Sequence, residues 1–367
     1  MATRRTFIRK AALVSGVASA LPSFGFNILT NRPADDGIIG HGEYRYKVVK
    51  DWAKISPVHN PLMNCHEMVM DSSGRLLMLG DDTHNNVLVF DKSGKLLDYW
   101  GTQYPGGHGL TLTKEGGEDF LFIVDCGWYQ NKQGQWTKQA GQVFKTDITG
   151  RLLFNLGDPH TLGIYRKDQP FMPTEVAVGP NGDIYVADGY GSDYIIQYDY
   201  NGKYIRHFGG HENSNAEHNL VNAHGVAIDH RGKEPLLVCT SRTEYAFKYF
   251  TLDGKYIRTV KLPGLFVCRP VLDDQNIYAG VCWSETKDGQ KWVKDTGFIT
   301  ILDGTNKVVS NPGGTEPVYV NNSLQQMYQT PDKIFNHGHD VCVDEDKNLY
   351  VCQWNANHTP PVKLVRV

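Results

Sequence analysis

Charge of one sign is scarce in this chain: 37 Lys and Arg stand against 40 Asp and Glu, a formal net charge of −3. No basic patch gathers, so nothing argues for nucleic acid as a partner. Beyond the first 30 residues no stretch approaches the roughly 18 apolar residues of a membrane span, which argues against a stable span in the mature chain. The seven cysteines, Cys65, Cys126, Cys239, Cys268, Cys282, Cys342 and Cys352, form no Cys-x-x-Cys pair, and a thiolate zinc site is thereby disfavoured. Their odd number leaves at least one thiol unpaired, and several sit in strand-like runs where a cysteine reads as a small buried hydrophobe.

What the chain does have is repetition. Self-similarity at a period of about 40 residues marks a propeller or solenoid. Six units can be traced. The clearest are His66-Glu-Met-Val-Met-Asp-Ser-Ser-Gly74 running on to Val87-Leu-Val-Phe-Asp-Lys-Ser-Gly94, and Thr174-Glu-Val-Ala-Val-Gly-Pro-Asn-Gly182 running on to Ile195-Ile-Gln-Tyr-Asp-Tyr-Asn-Gly202. The others start at His108, His224, Arg269 and His339. Alternation of period two, as in Asp183-Ile-Tyr-Val-Ala-Asp188, with Gly, Asn and Asp at the turns, predicts antiparallel strands. Four strands per unit is a propeller blade, so the expected fold is an all-β six-bladed β-propeller over residues 40–367. The sixth unit stops at Val367 before its outermost strand. Tyr44-Arg-Tyr-Lys-Val-Val49 is placed to supply that strand and close the ring, which removes an exposed sheet edge.

The first 30 residues differ in kind. Thr3-Arg-Arg-Thr-Phe-Ile-Arg-Lys10, the apolar run Ala11 to Leu21 and the small-residue site Ala18-Ser-Ala20 have the plan of a secretory signal with a linker behind it. The paired arginines before Phe-Ile resemble the twin-arginine export signal, which implies the twin-arginine machinery as a partner and a periplasmic or extracellular location.

His108, His224 and His339 each adjoin a glycine and stand at the same point of units two, four and six, just before an apolar run. On a six-bladed ring these positions are related by pseudo-threefold symmetry at one mouth of the channel. Three imidazoles with an open position describe a catalytic zinc site. Other divalent ions follow behind zinc. His66 shares the register in unit one, as a further channel residue. Thr174 and Arg269, at the start of units three and five, indicate that the fold itself does not require histidine there.

With these motifs in place the chain resembles the NHL-type propellers, and among them the lyase domain of peptidylglycine alpha-amidating enzymes. The likeness is strongest from Met172 to Lys248. Gly107-His-Gly-Leu110, Ala223-His-Gly-Val226 and Gly338-His-Asp-Val341 look like that lyase's zinc-histidine motifs, and Val186-Ala-Asp-Gly-Tyr190 like its tyrosine-bearing blade. The resemblance implies zinc on the three histidines, Tyr190 as the catalytic tyrosine, Arg242 as a substrate-binding arginine and Asp340 as a ligand of a structural calcium. Two departures stand out. The family's arginine in the first blade is replaced by Leu79-Gly-Asp-Asp-Thr-His84, and the cysteine after its tyrosine is Gly191 here.

Insertions at Gly127 to Trp136 and Trp283 to Trp292 bring aromatic residues that suit stacking on a flat face if they reach the channel mouth. The expected activity is a lyase cleaving beside a hydroxyl of a small peptide- or carbohydrate-derived substrate. A binding propeller for a glycan or protein, and a lactonase-like hydrolase using the acidic residues Glu67, Glu175 and Asp340, are the other two readings.

Overall fold

The computed structural model describes residues 37–131 and 133–367. The segment read as an export signal lies outside these residues. Among them six antiparallel sheets, five of four strands and one of five, are arranged as a six-bladed propeller. Their innermost strands are Cys65–Met70, Gly107–Glu115, Glu175–Val178, Val226–Asp229, Leu265–Leu272 and Gly338–Val343, each flanked by the next around the ring.

Burial explains the pattern within a blade. A second strand such as Leu76–Gly80 is buried throughout because both its faces pack on neighbouring blades, whereas an outermost strand such as Leu96–Trp100 is largely exposed. Between the first two blades Leu79, Leu110 and Ile123 share one apolar cluster. The repeated Asp-x-x-Gly turns also have a cause. Asp91 Oδ1 accepts the backbone N–H groups of Ser93 and Lys95, and Gly94 takes the left-handed φ of 89° that ends the turn.

Ring closure occurs as expected: Tyr44–Val49 pairs with Val362–Arg366 in the register Tyr46 to Arg366 and Val49 to Lys363. The sixth sheet goes one strand further, because Ile38–His41 folds back on Tyr44–Val49 as a fifth member. Arg366 Nη1 donates to the Tyr46 hydroxyl at 3.1 Å across that seam. All seven cysteines are buried free thiols.

Candidate active site and metal centre

The innermost strands place one side chain per blade at the channel mouth and the next residue one layer deeper. The upper layer contains His66, His108, Thr174, His224, Cys268 and His339, and the lower contains Glu67, Gly109, Glu175, Gly225, Arg269 and Asp340. This corrects the expected register of the fifth blade: Cys268, not Arg269, shares the layer of the histidines. Proximity shows it, since donor atoms of His224, Cys268 and His339 lie within 4.8 Å of one another, as do those of His66, His108 and His339. The glycine after two of the histidines is required by crowding. A Cβ on Gly225 would come within 2.5 Å of the Arg269 Cα, and one on Gly109 within 2.6 Å of the Thr174 carbonyl oxygen.

The three expected histidines do converge, with ring centroids 4.7 Å apart for His108 and His224, 4.9 Å for His108 and His339, and 5.0 Å for His224 and His339. His66 joins them at 5.0 Å from both His108 and His339. His108 Nδ1 lies 2.9 Å from the Thr174 carbonyl and His339 Nδ1 2.9 Å from the His66 carbonyl. Donation to those carbonyls sets the tautomer and leaves Nε2 as a lone-pair donor, the usual preparation of an imidazole for a metal. Burial first, and then neighbouring positive or imidazole groups, hold the pKa of His108, His224 and His339 well below the ordinary value. All three are neutral near pH 7, the form that ligates. The Nδ1 atoms of His66 and His224 are buried with no partner among the described residues. A buried polar cluster of this composition fits a divalent metal.

Tyr190 reaches into the same cluster. Its hydroxyl stands 3.1 Å from His108 Nε2 and 3.1 Å from His224 Nε2, and these two histidines do not occur together among the described residues in a group of three donor atoms within 4.8 Å of one another. Burial raises the phenol's pKa, with the Arg242 guanidinium pulling the other way. A tight loop carries the residue. Asp188 accepts from the backbone N–H groups of Met172 (2.6 Å) and Ser192 (2.7 Å) and from the Tyr165 hydroxyl, while Asp193 accepts from the Ala223 N–H beside His224. The missing family cysteine is explained here. A Cβ on residue 191 would sit 2.1 Å from Asp188 Oδ1, so Gly191 makes room for a carboxylate that grips the loop without a disulfide. Burial raises the Asp188 carboxyl to about 7.

Arg242 is buried in a short 3-10 turn at Arg242–Glu244, its Nε donating to the Val267 carbonyl at 3.2 Å and its Nη2 lying 3.0 Å from Cys268 Sγ. Among the described residues it has no carboxylate partner. It lines a cavity of about 290 Å³ with Tyr190, His339 and the tryptophans Trp128, Trp283, Trp292 and Trp354. Both aromatic insertions therefore reach the channel mouth. Trp354, from the sixth blade, had no distinguishing mark in the sequence.

Below the histidines the acidic residues share one buried cation, while Glu67 Oε1 and Glu175 Oε2 have no hydrogen-bond partner among the described residues. Arg269 reaches Asp340 through Nε (2.9 Å) and Nη2 (2.7 Å), Glu67 at 3.0 Å and Glu175 at 3.6 Å, and donates to the carbonyls of Leu110 and Met68. The guanidinium thus takes the cationic place that the resemblance gives to a calcium at Asp340. It also occupies the carboxylates that a calcium-based lactonase would use. The role of Arg269 was missed in the sequence, where it read as a residue showing only that histidine is dispensable. Asp81, which accepts from Asn64 and lies 3.3 Å from His66 Nε2, was hidden in the stretch noted for lacking an arginine.

No family model matches the chain. A protein of Caenorhabditis elegans described as a probable peptidyl-alpha-hydroxyglycine alpha-amidating lyase is 27% identical over 154 residues, 41% of this chain and 39% of that protein, so the match spans about two fifths of the curated relative. Among solved structures, streptogramin B lyase superposes with a TM-score of 0.51 at 12% identity, covering 87% of this chain and 97% of that one. A Bacteroides thetaiotaomicron protein of unknown function reaches 0.53 at 13% identity, covering 83% of this chain and 70% of its own. At these identities the structural likenesses establish the propeller fold. No helix among the described residues is long and apolar enough to cross a membrane.

Proposed function

We propose that this protein is an exported, metal-dependent lyase that cleaves a carbon–nitrogen bond beside a hydroxyl, with zinc held by His108, His224 and His339 and with His66 at the edge of the same cluster. The observation that carries this reading is the convergence of buried neutral imidazoles on the Tyr190 hydroxyl, with the Arg242 guanidinium, which has no carboxylate partner among the described residues, lining the adjoining cavity. The sequence similarity to a hydroxyglycine lyase supports the same class. A zinc ion bound there supplies Lewis-acid polarisation of a substrate oxygen.

The chain's own residues perform the rest. Arg242 presents a forked donor to a substrate carboxylate, and burial without a carboxylate partner among the described residues strengthens that preference. Tyr190 manages the proton. In an N-acyl hydroxyglycine the hydroxyl loses its proton as its oxygen forms the carbonyl of glyoxylate, the carbon–nitrogen bond breaks, and the leaving nitrogen takes up a proton to give the amide. Both transfers fall to the Tyr190 oxygen, at the centre of the cluster. Thr174 and the Asp188 loop hold His108 and Tyr190 in place. The paired arginines Arg4 and Arg5 support export by the twin-arginine route.

The test is turnover of an N-acyl alpha-hydroxyglycine by zinc-loaded protein, followed by glyoxylate release, beside the Tyr190→Phe variant. Release that depends on Tyr190 supports the lyase. Stoichiometric metal with no release, indifferent to Tyr190→Phe, replaces it with a binding propeller.

A further inference from the structure

The cavity above the metal centre has walls of an unusual kind. Trp283 forms a hub, its ring centroid 5.4 Å from Trp292 and 5.5 Å from Trp354, both edge-on, while the Arg242 guanidinium lies 6.0 Å from its ring centroid. Opposite, Trp128 meets the Tyr190 ring edge-on at 5.6 Å. These tryptophans come from three different blades or their insertions, so no single repeat accounts for the cluster.

Trp292 is the telling member. It is 52% exposed yet fixed, with its ring 4.1 Å from that of Phe266, and its φ of 59° lies in the left-handed region that a bulky side chain rarely adopts. Backbone strain of this sort costs about 1–3 kcal/mol and persists where the surroundings impose it, most often at ligand sites. Folding alone gains little from holding a half-exposed indole in a strained pose over a cavity.

The polar groups of the wall point the same way. Asn222 Nδ2 donates to the Gly189 carbonyl at 2.7 Å, and Thr243 Oγ1 donates to the Val221 carbonyl at 3.1 Å. Each commits one donor to the backbone, so beside the tryptophan faces these walls offer a sugar's hydroxyls little more than the Asn222 amide's remaining N–H and Oδ1 and the Thr243 oxygen. Arg242, buried and without a carboxylate partner among the described residues, is the charged donor on offer. A cavity of about 290 Å³ lies at the small end of the roughly 300–1,000 Å³ range of ligand pockets, room for about one ring and a short polar arm.

We infer that the site selects an aromatic carboxylate: a flat ring seated among Trp128, Trp283, Trp292 and Trp354, and a carboxylate on Arg242. This rests on the proposed use of the same cavity for substrate, and narrows the substrate to an aromatic-capped hydroxy acid rather than a sugar acid. Stacking supplies the ring's affinity, since an aromatic face on tryptophan contributes beyond its buried area. The guanidinium supplies orientation.

Binding measured by tryptophan fluorescence and calorimetry on the folded, metal-loaded protein tests it, with phenylacetate, acetate, benzyl alcohol and glucuronate as probes. Phenylacetate is expected to bind at least tenfold more tightly than each of the other three. Trp292→Ala, at an exposed position where the fold tolerates change, should weaken phenylacetate about tenfold and leave acetate unaffected. Arg242→Met should abolish the advantage of phenylacetate over benzyl alcohol. Glucuronate binding as tightly as phenylacetate, or phenylacetate no better than acetate, overturns the inference in favour of a carbohydrate or unselective site. Because this assay reads binding and not turnover, absence of lyase activity leaves its outcome intact, and loss of aromatic preference leaves the metal and Tyr190 chemistry standing.

Discussion

Replacing Arg269 by methionine probes the centre of the ring with a large expected effect. The side chain is buried, and its charge is shared among Asp340, Glu67 and Glu175, with two further bonds to the Leu110 and Met68 carbonyls. Removing one partner of a buried ion pair costs about 3–5 kcal/mol, because the surviving charge is left unpaired. Here three carboxyls are orphaned at once. Burial raises the Glu67 pKa well above the carboxylate range against the pull of Arg269, which offsets part of that cost. The expected loss at pH 7 is therefore about 4 kcal/mol, read from urea unfolding at constant m-value.

The sign of the pH dependence follows from linkage. Burial already raises the folded-state pKa of Glu67, and loss of the guanidinium removes the pull that opposes it, so the variant gains stability as pH falls from 7 towards 5 and the deficit narrows. Millimolar calcium should restore part of the loss at pH 7 by binding the vacated carboxylates, a stabilisation that grows with the logarithm of concentration. A deficit below about 1 kcal/mol that is flat between pH 5 and 7 would refute the claim that Arg269 is the internal counter-ion of the channel.

Other expectations follow from the same geometry. Tyr190→Phe removes the hydroxyl between His108 and His224 and should lower turnover by about 10²–10⁴-fold with metal content unchanged, checked by steady-state kinetics beside metal analysis. Gly191→Ala drives a Cβ onto Asp188 Oδ1 and should cost about 1–3 kcal/mol together with a comparable fall in turnover, because the clamp that seats Tyr190 must shift. The apo protein should lose stability as pH falls below 6.5. His108, His224 and His339 have depressed folded-state pKa values, so the unfolded chain takes up protons first, and each contributes at most about 1.4 kcal/mol per pH unit. Asp188, raised to about 7, opposes them with the slope of a single group between about pH 4 and 7. Chemical denaturation at pH 7, 6 and 5 separates the two signs by the net slope.

Much of this architecture is legible in the chain because blades repeat locally. Period-two alternation, Asp-x-x-Gly turns and the extra strand Tyr44–Val49 ahead of the first unit are each short-range features, and each occurs where its pattern indicates. The His-Gly pairs are readable for a related reason: the glycine answers a steric demand at the ring's centre. What was illegible depends on contacts across the ring. Arg269 looked like a degraded repeat position because its partners Glu67, Glu175 and Asp340 lie up to 202 residues away in sequence, as 269 − 67 gives. Cys268 lies at the same kind of register shift that holds His66, His108 and His339 in their blades, and a cysteine there gave the sequence no sign of the shared layer. Trp354 likewise acquires its meaning from Trp283, a neighbour in another blade.

The central claim is one shared metal site on the channel axis, and metal content of the purified mature chain by plasma mass spectrometry tests it most directly, beside the His108→Ala, His224→Ala and His339→Ala variants. The account predicts close to one zinc per wild-type chain and a sharp loss in each variant, with circular dichroism unchanged because the blades hold the ring. Undiminished metal in a folded His224→Ala variant would contradict it.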